Sequence, residues 1–473
     1  MFVFLASGAW GERLNVLFLS IDDLRPELGC CGVEGAVTPN LDRLAGEGRL
    51  FRRHYVAVAT CGPSREAMLT GKGPRASREI NHHYLAKALA GKPEGEEPET
   101  WIHRFRKAGY RTVGMGKISH SAGGYRSAGK GRLALELPHS WSEYVSVPKE
   151  RWSGGLLHGY GSGIVREEEP APVYEFLEKE DGFYPDGILA EMAVGKLEEL
   201  AEGEEPFVLA VGFMKPHLPF TGPAKYWDLC ELEDVSPNPD VPEGVSGVFL
   251  HASGEFNHQY QDQPEKGGLG VRFSDEYAGK VRRAYRAATA YVDVQVGKVL
   301  EKLEELDLAK NTVVVVWGDH GWHLGDQTIW GKHSAFERAL KSALIVRVPG
   351  MAQAGVASES LVATVDLYPT LCELAGIEPG EGLDGTSLVP VLQNPKERVN
   401  EEVMSYWRNI LSLRTERYRM AMFLKGERRE VMLFDHELDS NEGKNLAGEL
   451  PEVVAELTEL MKKRNGGYLP ELN

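Results

Sequence analysis

Short apolar runs alternate along the chain with longer amphipathic stretches. Residues 15–20 read NVLFLS, a nearly continuous apolar run that is typical of a strand buried on both faces of a parallel sheet. An amphipathic segment followed by an apolar run recurs at 100–107 and 111–115, at 185–201 and 207–213, and at 275–306 and 312–317. This order predicts an α/β fold in which helices sandwich a large, mostly parallel sheet.

The pattern changes after residue 376, where a Gly- and Pro-rich passage begins. It leads to short strand-like segments at 412–414 and 418–423 and to a helix at 451–463, which together predict a small C-terminal α+β subdomain. We therefore expect three parts: an N-terminal extension or clipped signal remnant (1–14), a main α/β domain with the candidate chemistry (15–385) and the C-terminal subdomain (386–473).

Composition narrows the classes of function. The chain has 53 Lys and Arg against 70 Asp and Glu, a net charge of -17, which does not suit a nucleic-acid binder. No run approaches the roughly 20 apolar residues of a membrane-spanning helix. Residues 1–9 are apolar but lack the basic start of a signal peptide. We expect a periplasmic or extracellular protein, with a cytoplasmic location as the alternative.

Polar residues follow four of the predicted strands directly. Because ligands bind at the carboxyl ends of strands in an open α/β sheet, these side chains are expected to converge. They are Asp22 and Asp23 after the first strand, Lys117 and His120 after the next, then His217, and finally Asp319 and His320. Three carboxylates with one imidazole favour Ca²⁺ or Mg²⁺ over zinc. A strand-terminal Asp taken alone is more often a turn or helix cap than a metal ligand.

Residues 61–71, CGPSREAMLTG, form the sharpest local feature of the sequence. Pro63 stands where a helix begins and Gly71 where it ends, so Cys61 lies at a helix N-terminus, which favours an anion. The residues alone leave Cys61 open as a small buried hydrophobic residue or as a thiolate nucleophile supported by His or Asn.

The motif Cys61-x-Pro63-Ser64-Arg65, followed by Leu-Thr-Gly at 69–71, resembles the signature of the type I sulfatases, in which this cysteine is oxidised to Cα-formylglycine. Further matching segments occur in family order at 16–23, 38–42, 116–117, 319–321, 433–435 and 445–446. Within the family the chain most resembles the iduronate-2-sulfatase subgroup and its bacterial relatives. That subgroup has a histidine at the position of His320, where many sulfatases have asparagine.

The resemblance implies an alkaline-phosphatase-like fold and a role for each matched residue. A Ca²⁺ ion, with Mg²⁺ as the alternative, would be held by Asp22, Asp23, Asp319, His320 and an oxygen of modified Cys61. Arg65 would stabilise the nucleophilic hydroxyl, and Lys117 and Lys332 would neutralise the sulfate oxygens. His217 is the candidate acid for the leaving alcohol, and His120 the candidate base that regenerates the aldehyde. A formylglycine-generating enzyme is the implied maturation partner.

Two other functions compete with sulfate ester hydrolysis. The same superfamily hydrolyses phosphate and phosphonate esters, and a degenerate member could bind sulfated glycans without turnover. Such a member is expected to lack Cys61, Arg65 or a metal carboxylate, and none is missing. We expect a sulfated carbohydrate substrate, with a uronate 2-sulfate as the leading candidate; choline sulfate is disfavoured because no aromatic cage stands out. The irregular stretches 123–181 and 229–273 are expected to contact the substrate, and the sequence indicates neither oligomeric state nor endo or exo action.

Overall fold

A computed structural model describes residues 13–94, 98–166, 171–231, 236, 239–251, 254–260, 271–469 and 472. Residues 1–12, most of the predicted N-terminal extension, lie outside this range, so that prediction and the expectation about export stay predictions. None of the helices in the described part of the chain combines the length and the hydrophobicity needed to cross a membrane.

The secondary structure alternates strands and helices over most of the chain. The strands are β1 (Asn15–Ile21), β2 (Arg49–Tyr55), β3 (Arg111–Gly116), β4 (Tyr125–Ser127), β5 (Leu133–Leu135), β6 (Glu143–Val145), β7 (Tyr174–Leu177), β8 (Phe207–Phe213), β9 (Phe220–Pro223), β10 (Thr312–Gly318), β11 (His323–Leu324), β12 (Trp330–Gly331), β13 (Leu344–Arg347), β14 (Ser358–Ala363), β15 (Glu402–Trp407), β16 (Ile410–Thr415), β17 (Tyr418–Lys425) and β18 (Arg428–Asp435). The helices are α1 (Pro39–Glu47), α2 (Cys61–Thr70), α3 (Tyr84–Leu89), α4 (Trp101–Lys107), α5 (Pro185–Ala201), α6 (Ala224–Leu229), α7 (Gly254–Gln259), α8 (Asp275–Glu305), α9 (Glu337–Leu340), α10 (Leu367–Leu374), α11 (Val389–Gln393) and α12 (Pro451–Arg464).

Eight strands form the main sheet in the order β14-β2-β13-β10-β1-β8-β3-β6. Neighbours pair in parallel except at β13, which is antiparallel to both β10 and β2. The three strands at its centre, β10, β1 and β8, are buried along their whole length, as their apolar sequences predict. The predicted large, mostly parallel sheet is therefore confirmed, with one antiparallel strand that the sequence did not indicate.

Helices cover both faces of this sheet. Because successive side chains of a strand point to opposite faces, Leu17 and Leu19 of β1 pack with α1, α5 and α8, whereas Val16 and Phe18 pack with α2, α4, α10 and α11. Trp317 of β10 lies in the second of these layers, with its ring centroid 6.1 Å from that of Phe18. The carboxyl ends of the central strands thus lie between two layers of helices.

The C-terminal part is an antiparallel sheet of β15 to β18 together with α12. The predicted segments 412–414 and 418–423 lie in β16 and β17, and the predicted helix corresponds to α12, so the α+β subdomain is confirmed. Its apolar side chains form one core with residues 55–59 and 335–340 of the main body. The predicted boundary between residues 385 and 386 stays a prediction.

Candidate active site

The register of the central strands places the strand-terminal polar residues at one edge of the sheet. Ile21 at the end of β1 is level with Gly318 of β10 and with Phe213 of β8. Backbone hydrogen bonds continue past these ends, where Asp22 donates to Phe213 O at 3.2 Å and Asp319 donates to Ile21 O at 3.3 Å. Two carboxylates from distant parts of the chain are therefore neighbours.

A close approach of two strands brings Lys117 to the same edge. Gly116 ends β3 with a left-handed φ of 73°, and Lys117 N donates to Gly212 O at 2.8 Å. A Cβ atom on Gly212 would lie 2.2 Å from the carbonyl carbon and oxygen of Lys117. Glycine is required at position 212 because any side chain there would push Lys117 away from the site.

Helix α2 begins at Cys61 and delivers both this thiol and Arg65 to the carboxylates. Arg65 Nε donates to Asp319 Oδ2 at 3.0 Å and Nη2 to Asp22 Oδ1 at 3.1 Å, and the residue is buried. Ser64 of the same helix donates to the backbone carbonyl of Asp319. The first turn of α2 is therefore clamped to the ends of β1 and β10.

The Cys61 thiol lies among charged groups. Its Sγ is 3.3 Å from His320 Nε2, 3.2 Å from Lys332 Nζ and 3.9 Å from Asp23 Oδ1. Lys332 Nζ is also 2.7 Å from Asp23 Oδ1, and Lys117 Nζ contacts the Asp22 carboxylate. Lys332 thus contacts both the thiol and Asp23, whereas Lys117 contacts Asp22.

Burial is the largest influence on the pKa values of the three aspartates. It raises the pKa of Asp23 well above its ordinary value and that of Asp319 to about 6, in each case because an ionised carboxylate loses its water. Burial would raise the pKa of Asp22 as well, but the charges of Lys117, His217 and Arg65 outweigh it and hold that pKa well below its usual range. Three buried carboxyl groups that meet at one edge of the sheet form a possible donor set for a cation.

The donor set fits a hard divalent cation. Ligand atoms of Asp22, Asp23, Cys61 and His217 lie within 4.8 Å of one another, as do those of Cys61, Asp319 and His320. Within the described part of the chain, Oδ2 of Asp23 is buried and has no hydrogen-bond partner. His320 Nδ1 is 2.8 Å from Gly321 O and therefore carries the proton, which leaves Nε2 as a free ligand atom.

His217 reaches the cluster from the loop after β8. Its Nδ1 is 2.6 Å from the carbonyl of Leu218, so Nδ1 holds a proton and Nε2 faces the site, 3.8 Å from Asp23 Oδ2. Burial lowers the pKa of His217 well below its ordinary value. The ring is thus held in one orientation with its reactive nitrogen inward.

His120 contacts two further histidines. Its ring stacks on that of His82, with centroids 4.1 Å apart, and meets His83 edge-on at 4.9 Å. Burial, then the charge of Lys117, lowers its pKa strongly, and its buried Nδ1 has no hydrogen-bond partner among the described residues. The structure therefore joins the other predicted site residues through direct contacts and places His120 against His82, which packs on Gly62 of α2.

Sequence reasoning missed several residues that shape the site. Tyr285 of α8 donates to Asp23 O at 2.8 Å and accepts from Arg25 N at 3.0 Å, and so fixes Asp23 in a left-handed conformation with φ 60°. Glu255 lies 3.7 Å from His217 Nε2 and 3.3 Å from His158 Nε2. A tyrosine inside a long helix and a glutamate in an irregular stretch carry no local signal of such roles.

Comparison with known proteins agrees with this geometry. The family model described as "Sulfatase" matches residues 14–377, and the model "N-sulphoglucosamine sulphohydrolase, C-terminal" matches residues 318–466. Human iduronate 2-sulfatase is 32% identical over 397 residues, which is 78% of this chain and 70% of the relative. A sulfatase of Formosa agariphila is 26% identical over 472 residues, 98% of this chain and 89% of the relative.

Solved structures share the fold of this chain. The solved phosphonate monoester hydrolase of Agrobacterium radiobacter superposes with a TM-score of 0.77 at 21% identity, over 96% of this chain and 95% of that structure. At that identity the likeness concerns the fold alone, whereas the family model and the human relative concern the sequence. The chain therefore belongs to the sulfatase family and is a sulfuric ester hydrolase.

Proposed function

We propose that this sulfatase hydrolyses a sulfated carbohydrate through a formylglycine formed from Cys61 and a divalent cation, Ca²⁺ in preference to Mg²⁺. The observation that carries the proposal is the surroundings of the Cys61 side chain, which lies within 3.3 Å of both His320 and Lys332 among three buried carboxylates. A structural cysteine is normally packed among apolar side chains, and this one is not.

An unmodified thiol is poorly suited to catalysis here. Burial, followed by the charge of Asp22, raises the pKa of the Cys61 thiol well above its ordinary value, so the nucleophilic thiolate is disfavoured. A formylglycine at this position supplies, when hydrated, a hydroxyl nucleophile and a second hydroxyl whose deprotonation expels sulfate. Modification of Cys61 is therefore favoured over the thiolate alternative, and a maturation enzyme would have to act before Cys61 is buried.

Charge balance supports the divalent cation. With Asp22, Asp23 and Asp319 ionised, as metal ligands are, their charges are offset by Arg65, Lys117 and Lys332, so these side chains alone give the cluster no net charge with which to attract an anion. The three aspartates, His320 and residue 61 would hold the ion. It supplies positive charge that lowers the pKa of a bound hydroxyl and neutralises sulfate oxygens. The oxygen-rich donor set is the reason for preferring calcium.

The chain's own residues account for the remaining steps. Arg65 is fixed by two carboxylates and orients them, whereas Lys117 and Lys332 place ammonium groups where sulfate oxygens would lie. His217 presents Nε2 to the site and stays the candidate acid, because a doubly protonated ring would carry on Nε2 the proton that the leaving alcohol takes. His120, a neutral imidazole with an unpartnered Nδ1 in the described structure, stays the candidate proton acceptor.

The proposed substrate class rests on the likeness to a relative of named activity and on the charge of the group that is transferred. The human relative is named for the 2-sulfate of iduronate, so a uronate 2-sulfate is the leading candidate. Phosphonate and phosphate esters remain the alternative because a phosphonate monoester hydrolase shares the fold. The two chemistries differ in the charge that the transferred group presents to the same cations, so matched aryl sulfate and aryl phosphate esters distinguish them.

Sulfate release by aldehyde-containing, Ca²⁺-loaded protein tests the proposal. The panel contains sulfated uronate and hexosamine disaccharides, choline sulfate, and the matched aryl sulfate and phosphate. Cys61→Ala is the inactive variant, and Cys372→Ala, which changes a buried cysteine of the core, is the matched control. We expect release from a sulfated uronate that Cys61→Ala abolishes and Cys372→Ala retains. Faster turnover of the aryl phosphate, or release that survives in Cys61→Ala, would contradict the proposal.

A further inference from the structure

Glu255 of α7 contacts His158 and Arg166 from another part of the chain and lies near His217. Its Oε1 is 3.2 Å from Arg166 Nη1 and 3.3 Å from His158 Nε2, and its Oε2 is 3.7 Å from His217 Nε2. Tyr260 adds its hydroxyl, 3.4 Å from Arg166 Nη1. These residues come from the two stretches that the sequence marks as irregular, and Glu255 brings them together beside His217.

The trio of His158, His217 and Glu255 has the spacing of a metal site, but its neighbour opposes that role. Arg166 lies 3.2 Å from both the Glu255 carboxylate and His158 Nδ1, so a metal ion would meet a guanidinium charge at its ligands. The same contact gives the Glu255 carboxylate a cationic partner, which favours its ionised form.

The position of Oε2 relates Glu255 to the leaving alcohol. His217 Nε2 is 3.8 Å from Asp23 Oδ2 and 3.7 Å from Glu255 Oε2, so an ester oxygen that takes a proton from Nε2 would lie close to Glu255. In a sugar, the oxygen on the next ring carbon lies within hydrogen-bond distance of that ester oxygen. A gap of 3.7 Å is too long for a direct hydrogen bond between Glu255 and His217, and it leaves Oε2 able to accept from a ligand.

We propose that Glu255 is a specificity-determining residue that accepts a hydrogen bond from a hydroxyl on the carbon next to the sulfated carbon. The same carboxylate excludes a second sulfate or a carboxylate from that position, because two anions would then meet without a cation between them. The inference rests on the proposed function and narrows it. The substrate class becomes a sugar sulfate with a free neighbouring hydroxyl, such as a uronate 2-sulfate whose 3-hydroxyl is unsubstituted.

Equilibrium binding tests this assignment separately from turnover. Ca²⁺-loaded Cys61→Ala protein is titrated calorimetrically with a uronate 2-sulfate disaccharide, with its 3-deoxy analogue and with its 2,3-disulfate. A hydrogen bond to a charged acceptor predicts that the 3-hydroxyl compound binds about tenfold more tightly than the deoxy analogue. In the double variant with Glu255→Ala this ratio is expected to approach one. Glu255→Gln keeps the shape of the side chain and is expected to weaken the discrimination against the disulfate.

Gln259→Ala, at an exposed position of the same short helix, is the control and is expected to keep the tenfold ratio. Equal ratios with and without Glu255, or no binding of the parent disaccharide, would overturn the inference. If the ratios behave as expected but aldehyde-containing wild-type protein releases no sulfate, the proposed function fails while the assignment of Glu255 stands. The two claims are therefore separable.

Discussion

Lys332 allows the electrostatic part of the account to be tested quantitatively. Its ammonium is buried, 3.2 Å from Cys61 Sγ and 2.7 Å from Asp23 Oδ1, and it lies over the Trp322 ring with Nζ 5.1 Å from the ring centroid. Lys332→Met keeps most of the volume and the contact with Trp322 but removes the charge. The variant therefore isolates the role of that charge at the reacting position.

The expected loss follows from the distance. Two unit charges 3.2 Å apart interact by about 5 kcal/mol at an effective dielectric constant of about 20, which is an upper bound for one contact. Removal of a single stabilising donor from an enzyme site typically costs about 3–4 kcal/mol. We therefore expect the kcat for sulfate release to fall by about 100-fold to 1000-fold in Lys332→Met, with a smaller change in KM.

Lys332→Met could also reduce activity by destabilising the protein, because it removes the partner of Asp23. An uncompensated buried carboxylate destabilises the fold by about 3–5 kcal/mol. Thermal unfolding with and without Ca²⁺ separates the two, since a bound cation compensates Asp23 in the folded state. Lys310→Met, on the surface, is the control. A Lys332→Met protein that is folded, carries the aldehyde and retains kcat within threefold of wild type would refute the assigned role.

Three further outcomes are expected from changes elsewhere. Chelation of the cation should abolish sulfate release and lower stability by about 2.7 kcal/mol relative to protein with Ca²⁺ at 100 times its Kd, and added Ca²⁺ should restore both; unchanged thermal unfolding would contradict the metal site. Burial, then the charge of Glu79, raises the pKa of Glu66 to about 8 from 4.5, so the folded state retains a proton that the unfolded chain loses and stability falls as pH rises between these values. Glu66→Gln should remove this decline, and its melting temperature should exceed that of wild type at pH 8.5 but not at pH 4; parallel profiles would contradict it. Gly212→Ala should lose activity or soluble expression because its Cβ meets the Lys117 backbone, whereas Gly46→Ala, with open space around its Cβ, should not, as activity assays and urea unfolding would show.

Much of the fold could be predicted because its central strands are apolar on both faces. β1, β8 and β10 can be identified from their apolar sequences alone. Because parallel strands end at the same edge of a sheet, the residues that follow them are expected to lie close together. β2 was missed because its sequence, RLFRRHY, contains three arginines. Arg49 is buried nonetheless, since its guanidinium donates to the carbonyls of Val391 and Leu392 at 3.2 and 3.0 Å, far along the chain.

The candidate site likewise contains residues that the sequence predicts and residues that it does not. Asp22, Asp319 and Lys117 could be predicted because each follows a strand, and Cys61 because its motif is local. Glu255 and its partners could not, because they lie in irregular stretches that only tertiary packing brings over His217. Where the sequence has no period and no motif, the position of a side chain depends on contacts that no local pattern encodes.

The central claim is that residue 61 acts as a formylglycine within the carboxylate and lysine cluster. The most direct test measures the initial rate of sulfate release, under saturating Ca²⁺, for preparations in which mass spectrometry of the residue 61 peptide gives different aldehyde fractions. The account predicts a rate proportional to that fraction, with a line through zero and no release from Cys61→Ala. A rate that is independent of the aldehyde fraction, or no release from fully converted protein on any sulfate ester of the panel, would contradict it.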